Sequence, residues 1–401
     1  MILRPRPGRP GALPLDPASC NARIRVTDKS LEPNQMGVWG LRPQRGPGAA
    51  PLAFLLLCLS SCTVMNALRP APPNLPLDAP IPARLSFTMS DGAVLPARDW
   101  LPAAQPWRGV ILALHGFTDS RDGWELPAPA FAAAGYAVFA PDQRGFGDTA
   151  SRNHWAGIPR MVNDAAELVA QLRARYPTLP VIVLGESMGG AVAEILAARP
   201  GHAADAYVLA APAVWGWGQM DPAVAATLIA ASALAPGWEP DPGQVGREIT
   251  ASDNIPALMR MGSDPLTLRR PSVAMLRGLV DLMAAAQDAS AHLHGRVLIL
   301  SGRRDQLIPP PAAAAAWAKL PPDIRRGFYP NGYHLLLRDH DRALVIADIL
   351  TWLDTPQTWL PSGADTAAAA WQADHAWQAR TPELAPAGHA DDTGAEPVWP
   401  Y

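Results

Sequence analysis

Five consecutive residues, Gly185-Glu186-Ser187-Met188-Gly189, set a serine between two glycines. They directly follow the apolar run Val181–Leu184 and directly precede a helical stretch beginning near Gly190. A strand–turn–helix passage of this kind needs glycines where the backbone turns sharply, and it leaves room beside the serine. The serine then sits at a helix N-terminus, where the dipole and free N–H groups favour developing negative charge. These are the conditions for a nucleophile attacking a carbonyl.

A serine hydroxyl is a poor nucleophile at neutral pH and needs a base. Asn331-Gly332-Tyr333-His334 follows the last strand candidate and precedes the last helical run, which makes His334 the candidate. The imidazole in turn needs a carboxylate to hold its tautomer and stabilise the imidazolium. Ser301-Gly302-Arg303-Arg304-Asp305 follows the run Val297–Leu300 and supplies Asp305. Two backbone N–H groups must face the oxyanion: Met188, next after the serine, and Phe117, in His115-Gly116-Phe117-Thr118-Asp119. His115 is expected to order that loop by hydrogen bonding rather than to act as a base.

These residues require strands that end beside one another. Apolar runs at Leu85–Met89, Val94–Asp99, Gly109–Leu114, Ala137–Ala140, Val181–Leu184, Ala206–Leu209, Val297–Leu300 and Arg326–Tyr329 read as strands. The later ones are continuous and aliphatic, as in parallel strands buried on both faces. Residues 159–175, 190–199 and 341–353 read as helices, the first with Met161, Val162, Ala165, Leu168, Val169 and Leu172 on one stripe. The alternation predicts an α/β fold with a mostly parallel, doubly wound sheet. Residues 85–213 and 291–355 would form its core. Residues 214–290 break the alternation with helical runs at 222–229 and 273–283 and are rich in Met and Trp, which predicts a helical cap. Residues 356–401 lack a clear period and are expected to be a loosely ordered tail.

Taken together, His115-Gly116-Phe117, Ala140-Pro-Asp-Gln-Arg-Gly-Phe-Gly-Asp148, Gly185-Glu-Ser-Met-Gly-Gly190, Ser301-Gly-Arg-Arg-Asp305 and Gly332-Tyr-His334 resemble the monoacylglycerol lipase and lysophospholipase branch of the α/β-hydrolases. The order Ser187, Asp305, His334 is that superfamily's order. Asp264-Pro265-Leu266 also looks like a piece of that branch's cap. The resemblance spans roughly residues 85–355. It implies cofactor-free hydrolysis of a monoacylglycerol, a lysophospholipid or a similar carboxyl ester, and a structural role for Asp142-Gln143-Arg144-Gly145. The same three residues could serve a short-chain esterase, peptidase, thioesterase, acyltransferase or cofactor-free haloperoxidase. A catalytically dead fold used as an envelope binding protein is the non-enzymatic alternative.

The 401 residues carry a net charge of −3 with 49% apolar residues. That balance gives no basic face for nucleic acid. The histidines at 154, 202, 292, 294 and 340 show no metal-site spacing, so no metal is expected. The cysteines Cys20, Cys58 and Cys62 all lie near the start, which leaves no disulfide framework downstream. Leu52–Leu59 is too short to span a bilayer but suits a signal-peptide core. Leu59-Ser60-Ser61-Cys62 resembles the bacterial lipobox, which makes Cys62 the expected lipidation site. A 61-residue signal peptide is too long, so translation is expected to start at Met36, with Arg42 and Arg45 as the basic region. Residues 62–84 would then be a Pro-rich tether holding the protein on a bacterial envelope membrane, the outer membrane in a Gram-negative cell. A cytoplasmic or soluble secreted protein is the alternative.

Overall fold

A computed structural model describes residues 81–201, 203–241 and 249–380, with side chains as far as residue 375. Met36, Cys62, the signal-peptide segment, most of the tether, His202 and the last 21 residues lie outside the described residues.

All eight expected runs are strands, with ends that differ by at most two residues. They are β1 (Leu85–Thr88), β2 (Val94–Trp100), β3 (Gly109–Leu114), β4 (Tyr136–Pro141), β5 (Val181–Glu186), β6 (Ala206–Ala210), β7 (Val297–Gly302) and β8 (Arg325–Tyr329). They form one sheet in the order β1-β2-β4-β3-β5-β6-β7-β8. The β1–β2 and β2–β4 pairings are antiparallel and all the others parallel.

The helices are α1 (Ala128–Ala133), α2 (Ile158–Arg175), α3 (Met188–Ala197), α4 (Pro222–Leu234), α5 (Ile255–Ser263), α6 (Val273–Ala289), α7 (Pro310–Lys319), α8 (Arg342–Asp354) and α9 (Ala364–Arg380). Strand side chains alternate between two buried layers, as a two-residue period requires. In β3, Val110, Leu112 and Leu114 join the apolar cluster that includes residues of α2, α3 and α6. Ile111 and Ala113 join the opposite cluster with Phe131, Ile349 and Trp352 of α1 and α8. A continuous aliphatic run is what a strand covered on both faces demands.

The described part of region 214–290 carries the three helices α4, α5 and α6, joined by loops, and no strand. Its last helix does more than cover the sheet end, because α6 packs against α3 and completes the helix layer on that face. Its Met and Trp residues divide accordingly. Met275 is fully buried in the core, whereas Trp238 stands exposed.

The expectation of a loose tail over residues 356–401 is corrected for residues 364–380, which form α9. This helix packs along β8, with Trp371 stacked on Phe328 at 4.9 Å and edge-on to Trp317 at 4.9 Å. Its buried positions are Ala364, Asp365 and Ala368, so the covered stripe carries almost no hydropathy and escapes a periodicity search. Alanine nevertheless has the highest helix propensity of any residue. Asp365 fixes the helix start by pairing with Arg325 and accepting from the Leu360 N–H at 3.0 Å. Alanine-rich α7 was missed for the same reason.

Candidate active site

β5 ends at Glu186, and α3 begins at Met188, leaving Ser187 alone in the turn. Its φ of +55° is a left-handed conformation, which costs a non-glycine residue on the order of 1–3 kcal/mol. The flanking glycines make the turn possible. A Cβ on Gly185 would lie 2.3 Å from the Gly189 carbonyl oxygen, and one on Gly189 would lie 2.2 Å from that of Leu114. Helix α3 therefore starts hard against the end of β3.

The three residues singled out by spacing form one hydrogen-bonded chain. His334 Nδ1 lies 2.8 Å from Asp305 Oδ2, and His334 Nε2 lies 2.8 Å from Ser187 Oγ. An ionised carboxylate only accepts, so Nδ1 carries the proton and Nε2 accepts from the serine hydroxyl. Asp305 is itself oriented, because its Oδ1 accepts from the backbone N–H groups of Leu307 (2.8 Å) and Ile308 (3.0 Å). The loops bearing Asp305 and His334 are laced together by Arg304 N–H donating to the Gly332 carbonyl at 2.9 Å. Burial alone would lower the pKa of His334, but the charge and hydrogen bond of Asp305, with Glu186 and Asp339 beyond, outweigh it. The imidazole is held above its ordinary value.

The N–H groups of Phe117 and Met188 have no hydrogen-bond partner among the described residues. Met188 opens α3, where no preceding turn can accept from it. The loop bearing Phe117 lies against the serine, since a Cβ on Gly116 would be 3.3 Å from Ser187 Cβ. His115 is fully buried. Its Nε2 accepts from Gln143 N–H at 2.9 Å, and its Nδ1–H donates to the Gly116 carbonyl at 2.8 Å. Both ring nitrogens are thus used on the loop, and burial holds the imidazole below its ordinary pKa. The Asp142–Gly145 turn is braced by Arg121 and by Asp148 N–H, both directed at the Asp142 carboxylate.

Sequence reasoning missed Arg338. It lies buried and pairs with Asp119, on the Phe117 loop, and with Glu186 Oε2 at 2.8 Å. Neighbouring Asp339 accepts from Tyr333 N–H (2.8 Å) and Ser252 Oγ (2.6 Å), which fixes the loop carrying His334. The only sequence signal was a charged pair closing the apolar run Leu335-Leu336-Leu337. Among the described residues, no cluster of His, Cys, Asp or Glu could hold a metal ion.

A cavity of about 50 Å³ adjoins Ser187 and His334. Trp215, Met261, Leu279 and Met283 of the cap region line it together with Phe117 and Leu335.

The family model described as serine aminopeptidase, S33, matches residues 105–341, more than half of the chain. The chain belongs to this family. A monoacylglycerol lipase of Mycolicibacterium smegmatis is 30% identical over 261 residues, which are 63% of this chain and 90% of that protein. A mouse monoglyceride lipase is 25% identical over 71% of this chain and 94% of its own length. A soluble variant of the Saccharomyces cerevisiae monoglyceride lipase, solved with a substrate analogue, superposes with a TM-score of 0.59 at 21% identity. That match covers 72% of this chain and all of the other, and establishes the fold. Within the S33 family the chain sits in the monoacylglycerol lipase-like branch of the α/β-hydrolases. Helix α9 lies beyond the residues that the family model matches, as do β1, β2 and α8.

Proposed function

We propose that this S33-family protein is a serine hydrolase that cleaves carboxyl esters of the monoacylglycerol or lysophospholipid type through an acyl-enzyme on Ser187. The observation that carries the reading is the imidazole of His334 bridging Ser187 Oγ and Asp305 Oδ2, with both contacts at 2.8 Å. Ser187 Oγ attacks the ester carbonyl carbon as its proton passes to His334 Nε2. The oxyanion is held by the Phe117 and Met188 N–H groups, which are free to donate. His334 then gives its proton to the departing alcohol, leaving the acyl group on Ser187. Water, deprotonated by His334, releases the fatty acid and restores the serine. Asp305 keeps the imidazole in the working tautomer throughout.

The lipid substrate class is supported by the monoacylglycerol lipase relative and by the mostly apolar lining of the cavity beside the serine. A second reading, a short-chain esterase, is favoured by one observation. The 50 Å³ cavity is far below the roughly 300–1,000 Å³ of ordinary ligand sites. A panel of p-nitrophenyl esters from acetyl to palmitoyl, monoolein, lysophosphatidylcholine and an aminoacyl anilide separates the two, with Ser187→Ala alongside. Serine-dependent turnover of monoolein or the lysolipid supports the lipid reading. Turnover confined to short esters supports the second, and substantial activity in Ser187→Ala refutes both.

The same proposal puts the enzyme on the bacterial envelope, anchored through an acylated Cys62. It is supported by the Leu59-Ser60-Ser61-Cys62 motif and the preceding apolar run. Cys62→Ser is expected to move the protein into the soluble fraction, and an unchanged distribution overturns the anchor.

A further inference from the structure

The loop between β4 and α2 carries a half-buried arginine, Arg152, whose guanidinium donates to four backbone carbonyls. One of them, Gly147, belongs to its own loop. The other three are consecutive residues of the stretch joining α5 to α6. They are Pro265 at 3.2 Å, Leu266 at 2.7 Å and Thr267 at 3.0 Å. Nη1 and Nη2 share these bonds, so a planar fork grips a run of cap backbone. Hydrogen bonds from a charged donor are roughly twice as strong as neutral ones.

The next residue of that run is Leu268, and its N–H donates to the Thr118 carbonyl at 2.8 Å. Thr118 follows Phe117 in the loop beside the serine. That loop turns between Gly116 and Asp119, with the Asp119 N–H donating to the Gly116 carbonyl at 3.3 Å. Thr118 has a φ of +65°. Such a left-handed conformation is unfavourable for a β-branched residue and persists only where the surroundings over-determine it. Thr118 is also buried, which raises the cost of leaving its carbonyl unpaired. Relaxation of Thr118 to negative φ would turn over the Phe117–Thr118 peptide and shift the backbone from which the Phe117 N–H points.

Two further bonds steady the stretch. Leu266 N–H donates to Asp264 Oδ1 at 2.8 Å, and Ser272 N–H donates to Asn153 Oδ1 at 2.8 Å. Loss of Arg152 would therefore loosen residues 265–268 without releasing them.

We propose that Arg152 is a positioning residue for the reaction. It holds residues 265–267 so that the Leu268 N–H keeps Thr118 left-handed and the Phe117 N–H aimed at the oxyanion. This role rests on the serine hydrolase reading given above.

The test compares full-length wild type, Arg152→Met and Arg152→Lys on p-nitrophenyl butyrate, with Ser187→Ala as the blank. An interaction made only in the transition state lowers kcat and leaves KM alone. In Arg152→Met, kcat should fall about tenfold to a hundredfold, and KM should change less than about twofold. Butylboronic acid forms a tetrahedral adduct on the serine with an oxygen where the oxyanion would sit. Its inhibition constant should weaken at least tenfold in Arg152→Met. A smaller folded fraction lowers kcat but does not move that constant. Arg152→Lys keeps the charge on fewer donors and should fall between the other two. Hydrogen–deuterium exchange should quicken over residues 116–120 and 264–268 in Arg152→Met and stay unchanged in β5. Unchanged exchange in those two segments, or an unchanged boronate constant, overturns the proposal. If Arg152→Met fails to fold, Arg152→Lys carries the same readouts. A wild type without serine-dependent turnover refutes the hydrolase reading instead, and the exchange comparison still tests the hold on Thr118 by itself.

Discussion

Arg338 Nη2 sits 2.8 Å from the carboxylate of Glu186, the residue immediately before the nucleophile candidate, and the same guanidinium pairs with Asp119 beside Phe117. One buried cation therefore ties together the serine turn, the loop offering the Phe117 N–H and the loop carrying His334. Burial disfavours the charge on Arg338, but the two carboxylates outweigh that and raise its pKa, so it stays protonated.

Removing that cation leaves two buried carboxylates unpaired. Arg338→Leu is expected to destabilise the fold by about 3–5 kcal/mol. Urea denaturation of the wild type and the variant measures this directly. A loss below 1 kcal/mol would mean that the carboxylates find other partners.

The ring of His334 must be neutral to accept the serine proton. Its pKa lies above the ordinary 6.5, so kcat/KM should rise with pH along a limb centred above that value. Asp305→Asn removes the charge that raises it and leaves the burial that lowers it, so the limb should move to lower pH. The same change should cut kcat about 10⁴-fold by releasing the tautomer. A pH–rate profile on a soluble ester reads both effects.

Gly189 cannot take a side chain cheaply. Its Cβ would lie 2.2 Å from a backbone oxygen in β3, and neither backbone can yield without moving the serine. Gly189→Ala should cost about 1–3 kcal/mol and most of the activity. Gly218→Ala, where the added carbon meets no atom within 4 Å, is the matched control and should leave both unchanged. Thermal unfolding and ester turnover of the two variants check this.

Glu194 links stability to pH. Its carboxyl titrates near 8 when folded, because it is buried, and near 4.5 when free. Between those values the folded chain holds a proton that the unfolded chain has released. Stability from this group therefore falls as pH rises through that window, by up to ~1.4 kcal/mol per unit. Glu194→Gln cannot titrate, so its advantage over the wild type should grow from pH 5 to 8 and then level off. Denaturation midpoints at several pH values would reveal it, and parallel curves would place the Glu194 carboxyl in a wetter setting.

The sequence by itself determined the strands of the described residues, the inner ones β3 to β7 because strands covered on both faces must be written as continuous apolar runs. It also determined Ser187, Asp305 and His334, because each has to follow a strand end in a short polar loop, and that pattern is local. The glycines around Ser187 were legible for the same reason. Helices α7 and α9 were not, since their buried stripes are mostly alanine and leave no hydropathy period. Only the tertiary structure decided that Arg338 bridges Asp119 and Glu186, residues 219 and 152 positions away in the chain. It alone placed the Leu268 N–H on the Thr118 carbonyl. Contacts between elements distant in sequence depend on where each backbone packs, and no local pattern of residue types records that.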